Sequence, residues 1–311
     1  MKPLRIAIVG YGKIARDQHG PAIAGLPRFA LAATVSRQRS GIDGVPAFAS
    51  HKEMLREMDD LDAVAITTPP SARYAIARDC IAAGLHVLLE KPPTVTLSEI
   101  EDMACLAESE AVTLFATWHA RYNSAVAAAA AALAGERIAS MEIVWREDAR
   151  KWHPGQQWIW EPGGFGVFDP GINALSIATA IFPGPLFVRQ AELLYPENKQ
   201  TPIAANLSLA SPSAGGDMPV ALDWRHGDRE AWTITVRTET GTEIELSEGG
   251  SRLLIDGAPV AAKGAGEYPA IYQRFLDLID ARQSDIDARP LRLVADAFLV
   301  GKRTIVESFA D

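Results

Sequence analysis

Short apolar runs alternate with amphipathic stretches along the first third of the chain. A short apolar run bounded by turn residues is typical of a strand, and apolar positions three or four apart are typical of a helix. Strands that alternate with helices predict a parallel, doubly wound sheet. The predicted strands are Leu4–Val9, Leu31–Ser36, Ala63–Thr67, Leu85–Leu89 and Val112–Ala116, with helices such as Ala72–Ala83 and Ser98–Glu108 between them.

The pattern changes after residue 122. An alanine-rich helix comes first, followed by the polar, tryptophan-rich stretch Trp145–Trp160 and, further on, by successive strand-like runs. Glycine-containing turns between such runs are hairpin signals, so we expect antiparallel pairing here. The predicted helices are Asp169–Ile181, Tyr268–Ala281 and Leu291–Phe309, and the predicted hairpins turn at Thr240-Gly241 and Asp256-Gly257.

The chain has 311 residues, which suits two domains of ordinary size. We place the boundary where the pattern changes. Residues 1–120 are predicted to form a parallel α/β domain, and residues 121–311 an α+β domain with an open, mostly antiparallel sheet. The C-terminal helix could also pack back on the first domain. A composition of 48% hydrophobic and 22% charged residues is that of an ordinary globular protein.

Charge and cysteine content narrow the class of protein. The formal net charge of −9 argues against a nucleic-acid partner, because phosphate binding needs clustered Lys and Arg. Cys80 and Cys105 both lie in predicted helices, so we expect no disulfide and no zinc site. The apolar tract Ala125–Ala134 is far shorter than the ~20 residues of a membrane span. These features predict a cytoplasmic protein.

A glycine-rich turn follows the first predicted strand and opens a helix. Its sequence is Gly10-Tyr11-Gly12-Lys13-Ile14-Ala15. In this context Gly10 permits the tight turn, Gly12 lets the backbone approach a pyrophosphate, and Ala15 allows close helix packing. The turn predicts a dinucleotide site and a Rossmann domain over residues 1–120, in which Lys13 and Ile14 join the glycines in binding the cofactor. The alternative is a plain turn between a strand and a helix.

The end of the second strand bears on the choice of cofactor. NAD-specific Rossmann domains carry an acidic residue there, which binds the ribose hydroxyls. This chain has Ser36 and Arg37 instead, with Arg39 close behind. A hydroxyl beside a guanidinium suits a 2′-phosphate, so the sequence favours NADP. Dual use of NAD and NADP, or an Arg37 that is simply solvated, are the alternatives.

Two further strand ends complete the predicted cofactor site. The fourth strand ends in Thr67-Thr68-Pro69-Pro70, and the fifth ends in Glu90-Lys91-Pro92-Pro93, at the sheet edge where open α/β folds bind ligands. With the glycine turn, these elements resemble the Gfo/Idh/MocA family, also called the glucose-fructose oxidoreductase / inositol dehydrogenase family. The resemblance extends over essentially the whole chain. It implies that Thr68, Pro69 and Glu90 contribute to the cofactor site and that Lys91, beside the nicotinamide and the substrate hydroxyl, is catalytic; a strand-end surface lysine is the alternative.

The family also carries an Asp followed four residues later by a His, after a glycine-rich turn. This chain has Asp169 and Asn173 at that spacing, after Gly163-Gly164. Residues four apart lie on one helix face and can reach one ligand. Since Asn cannot act as a base, the resemblance assigns the proton chemistry to Asp169 with Lys91, and substrate binding to Asn173. Asp169 could instead cap the helix.

With Asn in place of that His, the chain resembles the bacterial branch of the family that oxidises L-arabinose and D-galactose at C1. In that branch the corresponding residues line the sugar pocket. A sugar site needs polar groups for hydroxyls and aromatic faces for the C–H side of the ring. The candidate polar residues are His119, Glu147, His153 and Asn173, and the candidate aromatic residues are Trp152 and Trp232. Core packing, a dimer interface or structural histidines are the alternatives.

The sequence therefore predicts an NAD(P)-dependent aldose 1-dehydrogenase that converts L-arabinose- or D-galactose-type pyranoses to aldonolactones. An oxidoreductase for inositols or keto sugars is the nearest alternative, and a non-catalytic NADP-binding regulator is a more distant one. We also expect a homodimer, as is common in the family. Neither a membrane nor a metal ion is expected as a partner.

Overall fold

The computed structural model describes residues 2–227, 229–262 and 264–310. Their contacts divide the chain into two compact units. Unit 1 comprises the described residues of 1–119 together with 266–288, and unit 2 comprises those of 120–265 together with 289–311.

The first eleven elements all belong to unit 1. They are β1 (Leu4–Val9), a π-helical turn (Ala15–His19), α1 (Gly20–Ala24), β2 (Phe29–Val35), β3 (Ala47–Phe48), α2 (His51–Glu57), β4 (Ala63–Ile66), α3 (Pro70–Ala82), β5 (His86–Leu89), α4 (Leu97–Ser109) and β6 (Leu114–Ala116).

The remaining elements begin with a 3₁₀ turn at His119–Tyr122. They continue with α5 (Val126–Leu133), β7 (Ile138–Arg146), α6 (Ala149–Trp152), a 3₁₀ turn (Gln157–Trp160), α7 (Phe168–Ile181), β8 (Phe187–Pro196), β9 (Ala204–Ala210), β10 (Met218–Asp223), β11 (Ala231–Thr238), β12 (Glu243–Ser247), a 3₁₀ turn (Glu248–Gly250), β13 (Arg252–Ile255), β14 (Ala258–Val260), α8 (Glu267–Ala281), α9 (Arg289–Val300) and β15 (Gly301–Val306).

The sheet of unit 1 has six parallel strands in the order β3-β2-β1-β4-β5-β6. Its central strand β4 is apolar throughout and every residue of it is buried, as expected for a sheet covered on both faces. The strand order reverses between β1 and β4, and in such folds ligands bind at the carboxyl ends of the strands beside this point. The predicted Rossmann fold is confirmed.

Helix α8 packs in unit 1, although the boundary predicted from the sequence places it in the second domain. Its buried face carries large aromatic side chains, among them Tyr272 and Phe275. Phe275 stacks on Phe29 and Phe115, with ring centroids 6.0 and 6.3 Å apart. Burial of these rings is favourable and accounts for the return of the chain to unit 1.

Unit 2 is built on a nine-stranded sheet in the order β14-β13-β12-β11-β7-β10-β9-β8-β15. The β7–β10 and β8–β15 pairs are parallel and the others are antiparallel, as the hairpin signals predict. Helix α7 packs closely on this sheet: an added Cβ at Gly171 would lie 2.5 Å from Leu222 of β10. A glycine at this position therefore allows the close approach without a shift of the Leu222 side chain.

The predicted helix Leu291–Phe309 is wrong in its second half. Helix α9 ends at Val300, and residues 301–306 form β15, which pairs with β8. The helical pattern is real as far as Val300, but Thr304, Ile305 and Val306 are β-branched and favour a strand. Helix α9 itself belongs to unit 2.

Among the described helices, none is long and apolar enough to cross a bilayer. The same part of the chain contains no cluster of His, Cys, Asp or Glu arranged to hold a metal ion. Cys80 is buried and Cys105 is exposed, and both are free thiols.

Candidate active site

The glycine turn has the geometry that its sequence predicts. Gly10 has a φ of 102°, and an added Cβ would lie 2.7 Å from the backbone nitrogen of Thr68. Gly10 therefore brings the turn after β1 against the turn after β4. Ala15 is completely buried, which allows the helix to pack on the sheet.

The residues of this turn fit a dinucleotide pyrophosphate. The space beside Gly12 is open, because an added Cβ would come no closer than 3.8 Å to the described residues beyond its chain neighbours. The Thr68 hydroxyl is buried without a hydrogen-bond partner among the described residues, and so can bond to a ligand. Lys13, whose ammonium pairs with Asp17, and Ile14 are both exposed at the start of the helix. Pro69 precedes the first residue of α3.

The two candidate arginines lie in the loop after β2 and differ in their surroundings. The Arg39 guanidinium donates to Glu53 at 2.5 Å and to the carbonyl oxygen of Ala47 at 3.3 Å. Arg37 is exposed. The hydroxyl of Ser36 accepts the backbone N–H of Ser40 at 2.7 Å, which stabilises the loop. Arg37 is thus the side chain of this loop better placed to meet a ligand phosphate.

Glu90 and Lys91 follow β5 in a turn that contains a cis peptide bond between Lys91 and Pro92. Glu90 is buried, whereas Lys91 is only half-buried. One oxygen of the Glu90 carboxylate accepts the Lys91 backbone N–H at 2.8 Å. The carboxylate thus supports the peptide of the candidate catalytic lysine.

His119 lies at the end of unit 1, shortly after β6. Its Nδ1 is 3.1 Å from a carboxylate oxygen of Glu267, and its ring stacks on that of Tyr268 with centroids 6.1 Å apart. Both partners belong to the first turn of α8. The ring is therefore held in a fixed orientation by the first turn of α8.

Unit 2 brings three of the predicted site residues together. His153 Nε2 lies 3.7 Å from Asp169 Oδ2 and 3.9 Å from Glu147 Oε1. Both carboxylates are buried. Glu147 accepts hydrogen bonds from two indoles, those of Trp224 at 3.1 Å and Trp232 at 3.0 Å. Glu147, His153 and Asp169 therefore form a polar cluster within an aromatic surround.

The position of Asp169 follows from the start of α7. The helix begins at Phe168, and Val167 occupies the N-cap position without a side-chain hydrogen bond. Asp169 is thus the second residue of the helix and is not its cap. The positive end of the helix dipole stabilises a negative charge there. Asn173, one turn further along, lies on the same face and is half-buried.

The two predicted aromatic residues pack against each other. The rings of Trp152 and Trp232 meet edge to face with centroids 5.8 Å apart. Trp152 is 46% exposed, and its indole N–H donates to Glu230 at 2.7 Å. Trp152 is therefore held at the surface, while Trp232 holds Glu147.

Several residues that bond to Glu147 and Glu90 are not indicated by the sequence. Trp224 bonds to Glu147 in unit 2, and His19 and Tyr268 bond to Glu90 in unit 1. No local motif marks them, because each partner is distant along the chain. A buried glutamate next to the candidate lysine is the one available signal, since a buried carboxylate requires donors.

The strand order, the glycine turn and the lysine at the end of β5 define a nicotinamide-dependent oxidoreductase with a Rossmann domain. The chain belongs to the Gfo/Idh/MocA family. The family described as "Oxidoreductase family, NAD-binding Rossmann fold" matches residues 4–117.

Two relatives are similar over their whole lengths. The chain is 47% identical to a galactose 1-dehydrogenase of Pseudomonas fluorescens over 311 residues, which is 100% of both chains. It is also 47% identical to the D-galactose-1-dehydrogenase of Rhizobium etli, whose crystal structure it matches with a TM-score of 0.94 over 100% of this chain and 99% of that chain. KijD10, a 3-ketoreductase from Actinomadura kijaniata, has a TM-score of 0.80 at 18% identity, over 98% of this chain and 100% of that chain. At that identity the likeness shows the fold alone.

Proposed function

We propose that this protein is an aldose 1-dehydrogenase, which oxidises the C1 hydroxyl of a pyranose to the aldonolactone. The observation that carries the proposal is the cluster that Glu147, His153 and Asp169 form in unit 2, in which both carboxylates are buried. It places several hydrogen-bonding groups among tryptophans, which is the composition of a sugar site. The full-length similarity to two galactose 1-dehydrogenases supports the same assignment.

The reaction removes a proton from O1 and a hydride from C1 of the sugar. The bound nicotinamide supplies the hydride acceptor. In the proposal, Asp169 and Lys91 contribute the proton chemistry. A buried carboxylate at a helix N-terminus can accept the O1 proton, and so can the neutral amine of a lysine.

The polar cluster also accounts for the substrates that we propose. L-Arabinose and D-galactose share their configuration at C2, C3 and C4, so the same donors and acceptors can bind either. Glu147, His153 and Asn173 bind ring hydroxyls in this proposal, with His119 as a further polar contact. Trp152 and Trp232 offer ring faces to the C–H side of the sugar.

We further propose that NADP is the preferred cofactor and that NAD is also used. In this proposal Arg37 binds the 2′-phosphate of NADP, because Arg39 is already bonded to Glu53. Arg37→Ala is expected to lower kcat/KM for NADP⁺ by about 10- to 100-fold, as an arginine–phosphate bond is a strong, charge-assisted one. The kcat/KM for NAD⁺ should change little, since NAD⁺ lacks the 2′-phosphate.

The control for Arg37 is Arg39→Ala in the same loop. Steady-state rates with both cofactors should show a small loss that is equal for NAD⁺ and NADP⁺. An equal loss with both cofactors in Arg37→Ala would instead mean that this side chain stabilises the loop and does not bind the 2′-phosphate.

We propose that the protein is a homodimer in the cytoplasm. Phe187 of β8, Leu299 and Val300 of α9 and Ile305 of β15 are exposed apolar side chains of unit 2. Exposed apolar residues of this kind are commonly covered by a second subunit. Sedimentation equilibrium of the purified protein measures the assembly.

The experiment that tests the proposed function compares initial rates of NAD⁺ and NADP⁺ reduction with D-galactose, L-arabinose and myo-inositol. Reduction with the two sugars and not with the inositol supports an aldose 1-dehydrogenase. Reduction with the inositol alone would replace the substrate class within the same family. Cofactor binding without turnover of any of these three compounds would favour a non-catalytic regulator.

A further inference from the structure

Four buried side chains of unit 1 form one hydrogen-bonded cluster behind Lys91, which we call the Glu90 network: His19, Glu90, Tyr268 and Tyr272. His19 Nε2 lies 3.1 Å from Glu90 Oε1, and the Tyr268 hydroxyl donates to the same oxygen at 2.6 Å. His19 Nδ1 lies 2.8 Å from the Tyr272 hydroxyl. All four residues are at least nine-tenths buried. The network therefore joins the π-helical turn, the end of β5 and α8.

The Glu90 carboxylate is held in its charged form by these donors. Burial alone would raise the pKa of Glu90, but the hydrogen bond and charge of His19, the charge of His119 and the hydrogen bond from Tyr268 together hold it far below its ordinary value. Burial also raises the pKa of the Tyr268 hydroxyl, which therefore remains a donor. Because a carboxylate only accepts, His19 must carry a proton on Nε2.

The second oxygen of Glu90 acts on the candidate catalytic residue. It accepts the Lys91 backbone N–H at 2.8 Å. The buried guanidinium of Arg73 donates to the carbonyl oxygens of Glu90 and Pro92. The Glu90–Lys91 peptide group is therefore held at its N–H by the Glu90 carboxylate and at its carbonyl oxygen by Arg73 of α3.

We propose that the Glu90 network is a positioning device for Lys91, in which His19 and Tyr268 act through the Glu90 carboxylate. The network orients the Lys91 peptide and hence the direction in which the side chain leaves the turn. The proposal rests on the catalytic role proposed above for Lys91.

A purely structural purpose would not require this arrangement. A buried carboxylate is costly to desolvate, and a packed apolar group in its place is often as stable or more so. The charge is placed where one oxygen takes two donors and the other takes the amide of the lysine. Proton transfer depends steeply on the position of the transferring group, so a fixed lysine raises the rate of the chemical step.

Tyr268→Phe is the central variant of the test, since it removes one hydroxyl and preserves the ring. Its expected effect is a loss of about 10- to 100-fold in kcat, the range for one hydrogen bond to a charged group, with KM for sugar and cofactor changed less than threefold. Tyr74→Phe is the matched control, because Tyr74 also donates to a carboxylate of unit 1, that of Asp102 at 2.9 Å. We expect it to keep the activity of the parent protein.

Hydrogen exchange of the protein without cofactor provides a readout that does not depend on activity. Pro92 and Pro93 have no amide hydrogen, so exchange of the segment 90–93 reports only on the amides of Glu90 and Lys91. The Glu90 amide is held by the carbonyl oxygen of Ile66 and serves as an internal reference. Tyr268→Phe should speed exchange at Lys91 about tenfold, and Tyr74→Phe should leave it unchanged.

Two substitutions at His19 separate positioning from packing. His19→Gln retains a donor toward Glu90 and is expected to keep kcat within about threefold of the parent, whereas His19→Leu should show the same loss in kcat as Tyr268→Phe. Equal losses in the two His19 variants would overturn the proposal. So would a Tyr268→Phe variant with normal kcat or with normal exchange at Lys91.

Failure of the positioning proposal and failure of the proposed function are distinguishable. If the unsubstituted protein oxidises neither sugar, the proposed function falls. If it oxidises them and Lys91→Ala retains turnover, Lys91 is not catalytic and the positioning proposal falls while the proposed function stands. If Lys91→Ala is inactive but Tyr268→Phe is as active as Tyr74→Phe, only the positioning proposal falls.

Discussion

Lys91→Ala is expected to lower kcat for sugar oxidation by about 10²- to 10⁴-fold, the usual contribution of one general acid–base group. The half-buried lysine lies at the carboxyl end of β5, at the sheet edge where ligands of this fold bind. Cofactor binding should persist, because the glycine turn and the loop after β2 are unchanged. Steady-state rates at saturating sugar give the loss in kcat, and quenching of protein fluorescence gives cofactor affinity.

Lys52→Ala is the matched control for this variant. Lys52 is an exposed lysine on α2 of unit 1, and its ammonium lies 3.8 Å from Asp79. Its removal should leave kcat and cofactor affinity unchanged. Wild-type turnover by Lys91→Ala would contradict the assignment of Lys91 to proton transfer.

Asp169→Asn is expected to lower kcat by a similar factor, about 10²- to 10⁴-fold, since the amide cannot accept the O1 proton. The substitution preserves the size of a buried side chain that lies 3.7 Å from His153, so the fold of α7 should persist. Steady-state rates over a range of sugar concentrations separate kcat from KM, and circular dichroism checks the fold.

Asp296→Asn on α9 is the control, as it makes the same change on another helix of unit 2. We expect it to retain full activity. If Asp169→Asn raises KM for the sugar while kcat stays normal, Asp169 binds substrate and another group accepts the proton.

Much of the fold could be predicted because its signals are local. Strands β1, β4 and β5 are short apolar runs between turn residues, and the structure places them within one or two residues of the prediction. Helix α7 likewise begins one residue before the predicted start. The hairpins at Thr240-Gly241 and Asp256-Gly257 are confirmed by the pairing of the strands on either side.

Two features of the fold could not be predicted from local pattern. Gly301 and the β-branched residues Thr304 to Val306 are only weak local signals for the change to β15, which is decided by pairing with β8. The return of α8 to unit 1 depends on contacts of Tyr272 and Phe275 with residues more than 150 positions away in the sequence. Tertiary packing decides both cases.

The candidate site also contains residues that the sequence indicates and residues that it does not. The glycine turn, Lys91 and the Asp169–Asn173 pair are short motifs, and the sequence indicates them directly. The supporting residues are not local: His19 is 71 positions from Glu90, Tyr268 is 178 positions from it, and Trp224 is 77 positions from Glu147. Only the folded chain shows which donors form hydrogen bonds with the buried carboxylates.

The division of unit 1 into two separate stretches of chain limits how this protein can be cut or recombined. A fragment that ends at His119 would lack α8, and with it Tyr268 and the rings that cover Phe29 and Phe115. Such a fragment would retain the glycine turn and Lys91 but would leave the Glu90 carboxylate without one of its donors. A chimera with a relative must therefore exchange residues 1–119 and 266–288 together, at three junctions. Unit 1 can therefore be transferred to another protein only as this pair of segments, and not as one continuous block.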